Sequence, residues 1–366
     1  MPKPWNSFSA LKRDCRWFKG DIPCLPHKRF GVHCVEDQGQ DCTHYDPLTS
    51  NILIIKLGAI GDVLRTTPLL RRLKDLYPQA RCWWLTHTPD ILPHVVDVGL
   101  PFSPQSLAIL HAVHFDIVYN LDKDREACAL LASLDATVTK GYTLKEAIPV
   151  PIDEGAVPKY LTGVFDDLSK ENTRSYPQEI FDIAGLEFRG ERYMLDSFSD
   201  RGYRWRLPQS RKIVGLNTGC GGRWVSRLWA EENWVALAKR LKQTGYLPLL
   251  LGGEQEDKKN KRIARKSGAR YLGHFPLQQF INLVDQCDLV VTAVTMALHI
   301  AIGLNKKVVL FNNIFNRHEF ELYGLGEILE PAFDCTCYYS PVCPNDCMQY
   351  ITVDRVFKTC TKLLRV

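Results

Sequence analysis

The chain has 366 residues, and at about 150 residues per domain it is long enough for roughly two domains and an appendage, which excludes a single small module. Hydrophobic residues make up 45% and charged residues 24% of it, a globular composition that excludes a disordered or fibrous chain. The formal charge of +5 is too mild for wholesale nucleic-acid binding, yet it leaves room for local basic patches aimed at phosphate.

Residues 1–50 contain Pro2, Pro4, Pro23, Pro26 and Pro47 with little apolar periodicity, and they carry Cys15, Cys24, Cys34 and Cys42. The start of the chain lacks the apolar core of a signal peptide. The most apolar stretch, Leu289 to Leu304, is 16 residues long and is interrupted by Thr292, Thr295 and His299, too short and polar for a bilayer span. A cytoplasmic protein is expected. Its thirteen cysteines then point to metal binding or burial rather than a disulfide scaffold. The N-terminal four could close a tetrahedral zinc site that folds a segment with no core of its own, with His27, His33 and His44 as substitute ligands. An iron–sulfur cluster has the same ligand count, and reduced cysteines packed under loops are the alternative.

From Asn51 the pattern changes. Ile52 to Leu57 is a continuous apolar run of buried-strand type, followed by the Gly58–Gly61 turn and by Leu69, Leu70, Leu73 and Leu76 at helical spacing. Further strands are predicted at 82–86 and 116–121, with helices near 124–133 and 177–184. Between Asp196 and Ser210 the alternation lapses, which places a linker there. The second half predicts strands at 213–217, 247–251, 289–292 and 308–311 and helices at 231–243, 255–266 and 277–287. Strand and helix alternate in both halves, so two parallel, doubly wound α/β sheets are expected, with ligands at the carboxyl ends of the strands. The resulting division is an appendage at 1–50, Rossmann-like domains at 51–200 and 201–350, and a C-terminal helix at 351–366.

Four strand-to-helix turns carry residues suited to chemistry. Lys56 to Asp62 offers glycines for close backbone approach and a carboxylate, Asp62, suited to taking a proton from a hydroxyl nucleophile; helix capping is the competing reading. Asn217 to Trp229 is glycine-rich and basic, and Arg201, Arg204, Arg206, Arg211, Lys212, Arg223 and Arg227 occur with no acid between residues 201 and 230. Guanidinium groups and loop amides of this kind fit a diphosphate, and a solvated basic face is the alternative. In Leu249 to Glu256, Glu254 could accept hydrogen bonds from ribose hydroxyls or simply favour a helix start. In Thr292 to His299, the Thr295 hydroxyl and the first helical amides could hold phosphate, and His299 is either a ligand contact or a satisfied core histidine.

In order, the segments Ile54 to Leu70, Val214 to Gly219 with Arg227 to Trp234, Leu250 to Glu254, and Asp288 to Thr292 with His299 resemble the heptosyltransferase family of glycosyltransferases, family nine. The resemblance covers about residues 51–350. It implies the GT-B fold, with acceptor in the first Rossmann-like domain and nucleotide sugar in the second. It also implies an inverting, metal-independent transfer of heptose or a similar sugar from a nucleotide diphosphate donor such as ADP-heptose to a lipopolysaccharide or other glycan hydroxyl. By position, Asp62 falls on the family's base, Arg227 near a basic residue supporting the diphosphate, and Glu254 on an acid near the nucleoside. Thr218, Gly219, Thr295, Met296 and His299 complete the expected donor side, and Lys56, Gly61 and Arg65 the acceptor side. One departure stands out: the chain has Val294-Thr-Met296 where the family usually has Asp-Thr-Gly. Glu319 and Glu321, in a segment that also differs, are candidates for sugar hydroxyls, with solvent-facing acids as the alternative. Cysteines recur in the family near the position of Cys335, Cys337, Cys343 and Cys347, so that group is read as ordinary buried thiols.

The expected activity is therefore glycosyl transfer by a protein that meets a glycan or lipid-linked acceptor, with no nucleic-acid partner; Lys258, Lys259, Arg262 and Lys266 on one helix could assist a peripheral membrane contact, with a solvated helix face as the simpler account. A sugar-nucleotide epimerase of the same fold and a non-catalytic nucleotide- or glycan-binding protein are the competing functions.

Overall fold

A computed structural model describes residues 7–36, 39–196, 204–208, 210–333 and 335–365. The first of its two six-stranded sheets takes β1 (Ser50–Ile55), β2 (Ala80–Thr86), β3 (Val98–Pro101), β4 (Phe115–Asn120), β5 (Ala136–Lys145) and β6 (Ile148–Pro151) along the chain and orders them β3-β2-β1-β4-β5-β6. Its pairings are parallel except that between β5 and β6. The second takes β7 (Ile213–Asn217), β8 (Leu247–Leu251), β9 (Arg270–Tyr271), β10 (Leu289–Ala293), β11 (Lys307–Phe311) and β12 (Gly326–Leu329), ordered β12-β11-β10-β7-β8-β9 and parallel throughout. Counted outward from β1 and from β7 the two orders are the same. In each, the chain reverses direction across the sheet at the border with the fourth strand, and that switch point opens a crevice beyond the strands' carboxyl ends.

β1 shows why the sheets form. Its side chains alternate between two apolar layers: Ile52 and Ile54 pack with Leu69, Leu70 and Leu73, while Leu53 and Ile55 pack with Trp83, Phe115 and Leu131. The helical run after it is divided into Ile60–Thr66 and Pro68–Leu76, because Pro68 has no N–H to continue the ladder and is suited to a first helical position. In the second sheet Val214 and Leu216 meet Trp234, Leu237 and Leu241 of helix Glu231–Gln243, and Val356, Cys360 and Leu364 of helix Val353–Arg365 close the same layer. Helix Met296–Gly303 joins the halves, because its Leu298, Ile300 and Ile302 belong to the apolar cluster that contains Ile52 and Ile54.

The appendage is held by Arg16, whose guanidinium pairs with Asp46 at 2.7 Å and Asp97 at 2.8 Å and donates to the Pro78 and Ala80 carbonyls. Ala80 begins β2 opposite Ser50, the start of β1, so the appendage sits at the amino end of the sheet, opposite the crevice. The linker expected at 196–210 lies largely outside the described residues, as does Arg201.

Candidate active site

The crevice between the sheets encloses a cleft of about 960 Å³. From the first sheet, the Gly58–Asp62 turn and Arg65 line it; from the second, Asn217, Gly219 to Gly221, Trp224 and Arg227 do so, joined by Val294 to Ala297 and His299.

Asp62 is the third residue of helix Ile60–Thr66, and both readings of it hold. The Ala59 amide donates to its Oδ2 at 3.3 Å, which is capping. Its Oδ1 lies 2.8 Å from Arg65 Nη2, one turn on, and 34% of the side chain remains exposed to the cleft. Burial pushes the carboxyl up, but Arg65 and Lys56, with the hydrogen bond from the Ala59 amide, outweigh it and hold it below the usual aspartate value. The group is charged and able to accept a proton.

Lys56 departs from the acceptor-side role. It is buried and ion-paired with Asp122, whose other oxygen accepts from the Leu57 amide at 2.5 Å. An aliphatic amine at the end of a buried strand needs a carboxylate partner, and Asp122 supplies it behind the turn. Lys56 acts on Asp62 through its field, not by lining the cleft. Gly61 lines the cleft for a steric reason: a Cβ there would lie 2.7 Å from the His299 ring. His299 is buried across the domain boundary, with Nδ1 3.4 Å from the Tyr193 hydroxyl. Burial, reinforced by Arg65, lowers its pKa to about 3. His299 is thus an uncharged packing residue that also forms the cleft wall.

Arg227 closes the short helical turn Val225–Arg227. It is 8% exposed, and its guanidinium donates to the Val294 carbonyl and, at 2.9 Å, to that of Cys220. Among the described residues no carboxylate pairs with it, its Nε has no partner, and burial lowers its pKa. A fixed, uncompensated cation at the wall of a cleft is a seat for an anion. Thr295 caps helix Met296–Gly303 by accepting from the Ala297 amide at 3.2 Å, and it stands beside Asn217, whose amide lies 3.3 Å from its hydroxyl. Met296 and Gly219 also line the cleft.

Two donor-side expectations need correction. The Thr218–Gly219 backbone is expected at the diphosphate, but the Thr218 amide donates to the Leu251 carbonyl at 3.3 Å and its hydroxyl to Asn260 at 2.6 Å, away from the cleft; alternation along an extended segment that turns Asn217 and Gly219 to the cleft forces the residue between them inward. Glu254 is exposed outside the cleft lining, and Glu256 lines it instead, accepting from the Gly253 amide at 2.9 Å and packing on Gly219. The same short motif carries both acids, and the turn Glu254–Glu256 decides between them. Of the basic residues offered for a membrane, Arg262 and Lys266 both pair with Glu231 and Lys259 donates to the Thr218 carbonyl, while Lys258 is exposed.

An aromatic wall made by Trp224, Phe315 and Tyr339 also lines the cleft, and no local pattern of residues announced it. Glu319 is buried in the cleft wall rather than solvent-facing, whereas Glu321 bonds the Tyr323 amide locally.

The cysteines also need correction. Among the described residues, the group whose ligand atoms all lie within 4.8 Å of one another is Cys335, Cys337, Cys343 and Cys347, not the N-terminal set. Cys335 and Cys343 are 3.4 Å apart and Cys337 and Cys347 3.6 Å, and such a thiol set can hold a metal ion. Cys15, Cys24, Cys34 and Cys42 line one small pocket without drawing in to that radius. The C-terminal four pack on Ile314, Trp224 and Phe315, which hold the loop that brings the thiols together.

Two facing doubly wound sheets with a cleft between their carboxyl ends define the GT-B class. Within it, the signature of glycosyltransferase family 9 (heptosyltransferase) matches residues 108–316, more than half of the chain, and the chain belongs to that family. It is 24% identical over 291 residues to lipopolysaccharide heptosyltransferase 2 of Escherichia coli K12, across 70% of this chain and 81% of that one. The structure of E. coli ADP-heptose LPS heptosyltransferase II matches with a TM-score of 0.63 at 19% identity, over 86% of this chain and 98% of that one. The iron-containing dodecameric glycosyltransferase TibC of enterotoxigenic E. coli H10407 matches with a TM-score of 0.56 at 15% identity, over 87% and 77%. Among the described residues no helix is long and apolar enough to cross a membrane.

Proposed function

We propose that the protein transfers heptose, or a closely similar sugar, from a nucleoside diphosphate donor of the ADP-heptose type to a hydroxyl of a lipopolysaccharide or related glycan, with inversion. The observation that carries this reading is the convergence of Asp62 and an unpaired Arg227 on the walls of one cleft. The acceptor oxygen attacks the anomeric carbon as its proton passes to Asp62, and the bond from that carbon to the diphosphate oxygen breaks. The leaving diphosphate keeps the bonding electron pair, and its charge is met by Arg227 and by amides of the Gly219–Gly221 loop and the helix start at Met296. Because a guanidinium and backbone amides take that charge, the step as written calls on no metal ion. The donor and acceptor given in the name of the E. coli relative support the choice of substrates. A cytoplasmic location and a peripheral approach to lipid-linked acceptor belong to the same reading.

The test is to incubate the full chain with ADP-heptose and a heptose-deficient lipopolysaccharide and to weigh the product. A mass gain of one heptose with release of ADP is expected; nucleotide-sugar epimerisation without transfer would replace the reading.

We infer further that Cys335, Cys337, Cys343 and Cys347 hold a structural zinc or iron ion. Four thiolates would complete a tetrahedral shell and leave no open position, so the ion's contribution would be to cross-link the loop. The iron-containing TibC supports this reading. Elemental analysis of the purified chain should find about one equivalent of metal, lost in Cys337→Ser; a metal-free wild type would sink it.

A further inference from the structure

Glu319 belongs to the second half of the chain, yet its charge is answered from the first. It is 7% exposed, and a carboxylate so buried is costly unless partnered. Its partners are the Tyr339 hydroxyl, which donates to Oε1 at 3.0 Å, and Arg65 Nη1, 3.6 Å from Oε2 across the cleft. Arg65 offers its other terminal nitrogen to Asp62 at 2.8 Å and is stacked on Tyr176 with its guanidinium carbon 3.6 Å from the ring centre. One guanidinium therefore serves two carboxylates, one from each domain. The surrounding contacts keep Glu319 in place: Asn316 donates to the Ser169 and Asn172 carbonyls, both at 2.6 Å, and the Tyr338 hydroxyl donates to Ser169 Oγ at 2.8 Å.

We propose that Glu319 is a positioning residue for the transfer reaction, sharing Arg65 with Asp62 so that the base reaches full strength only when the two domains are closed on each other. The inference rests on Asp62 being the base. With Glu319 in place, the group Asp62–Arg65–Glu319 carries one net negative charge, and a proton arriving on Asp62 neutralises it. Without Glu319, Arg65 answers Asp62 alone, and the same proton creates a net positive charge in a partly buried site. The other groups around Asp62, Lys56 held by Asp122 and uncharged His299, do not change with that contact. Because Glu319 comes from the donor domain, the acceptor-side base is tuned by domain closure, which ties proton removal to the presence of donor.

The experiment compares wild type, Glu319→Gln, Arg65→Gln, the double variant and Asp62→Asn by ADP release from ADP-heptose with heptose-deficient lipopolysaccharide, alongside ADP affinity. Glu319→Gln should lower kcat about tenfold while donor KM and ADP Kd rise by no more than about twofold, which a merely structural loss would not do. In the Arg65→Gln background the same substitution should have no further effect, because the shared partner is gone, and Glu319→Asp should recover part of kcat. If Glu319→Gln no longer binds ADP, Tyr339→Phe decides: it should lower kcat by about two- to fivefold at unchanged KM, and an unchanged kcat overturns the proposal. A rise in KM with kcat intact, or additive effects in the double variant, also overturns it and makes Glu319 a substrate contact. Transfer that disappears in Asp62→Asn but ignores Glu319 removes this inference alone; transfer that survives in Asp62→Asn removes the base, and this role with it.

Discussion

The turn after β1 and the turn after β7 occupy equivalent places in sheets of the same order, and they handle charge in opposite ways. On the first side every charge is answered: Lys56 by Asp122, Asp62 by Arg65, and Arg65 again by Glu319. On the second, Arg227 is buried to a similar depth against backbone carbonyls and aromatic rings, and among the described residues no carboxylate pairs with it. The difference teaches which side waits for a ligand. A fully paired network that keeps one net negative charge can hold a neutral hydroxyl acceptor and take its proton, whereas an uncompensated guanidinium is relieved only when an anion arrives.

The sharpest way to break this comparison is at its two poles. Asp62→Asn should reduce kcat by roughly 10²- to 10⁴-fold while ADP affinity stays unchanged, as measured by initial rates and calorimetry; equal losses in both would mean that Asp62 belongs to the donor side. Arg227→Met should reduce kcat by about 10²- to 10³-fold and abolish thermal protection by ADP. Because it removes a buried unpaired charge, it should also raise the melting temperature of the ligand-free protein. A lower melting temperature would show that the ligand-free state already compensates that cation.

Smaller effects sharpen the boundary between the two sides. Gly61→Ala drives a methyl group into the His299 ring and should cost about 1–3 kcal/mol in urea unfolding, with His299→Ala in the same chain restoring part of the loss. His299 itself supplies a pH dependence. Its folded value of about 3 lies below the ordinary 6.5, so between those values the unfolded chain binds more protons than the folded one. The stability this group contributes is present above about 6.5 and is lost as pH falls toward 3. Denaturation midpoints measured from pH 7 to pH 4 should therefore fall less steeply in His299→Gln than in wild type.

Much of the scaffold was legible because long buried strands announce themselves. β1, β7, β8, β10 and β11 are near-continuous apolar runs covered on both faces, and helix Glu231–Gln243 fills its predicted span. The strands that went unread, β3, β5, β6, β9 and β12, are short or half-exposed, with alternations such as that of Val98–Pro101 that local pattern does not separate from loop. The sites divide likewise. Asp62, Gly61, Gly219 and Thr295 sit in turns that follow a strand directly, and the strand's carboxyl end delivers them to the crevice whatever happens elsewhere.

Chain order alone thus determined the two doubly wound sheets, the edge at which the cleft opens between them, and the acid and the arginine-bearing loop that line it. Only the tertiary structure decided the rest. It chose Glu256 over Glu254 and turned Thr218 inward, because a single turn's geometry sets which neighbour is exposed. It joined Tyr339, Glu319, Arg65 and Asp62, which lie up to 277 positions apart in the sequence, and gathered the thiols at 335–347 rather than in the appendage. Side-chain proximity between distant segments follows from how the elements pack, and no local pattern of residue types carries that information.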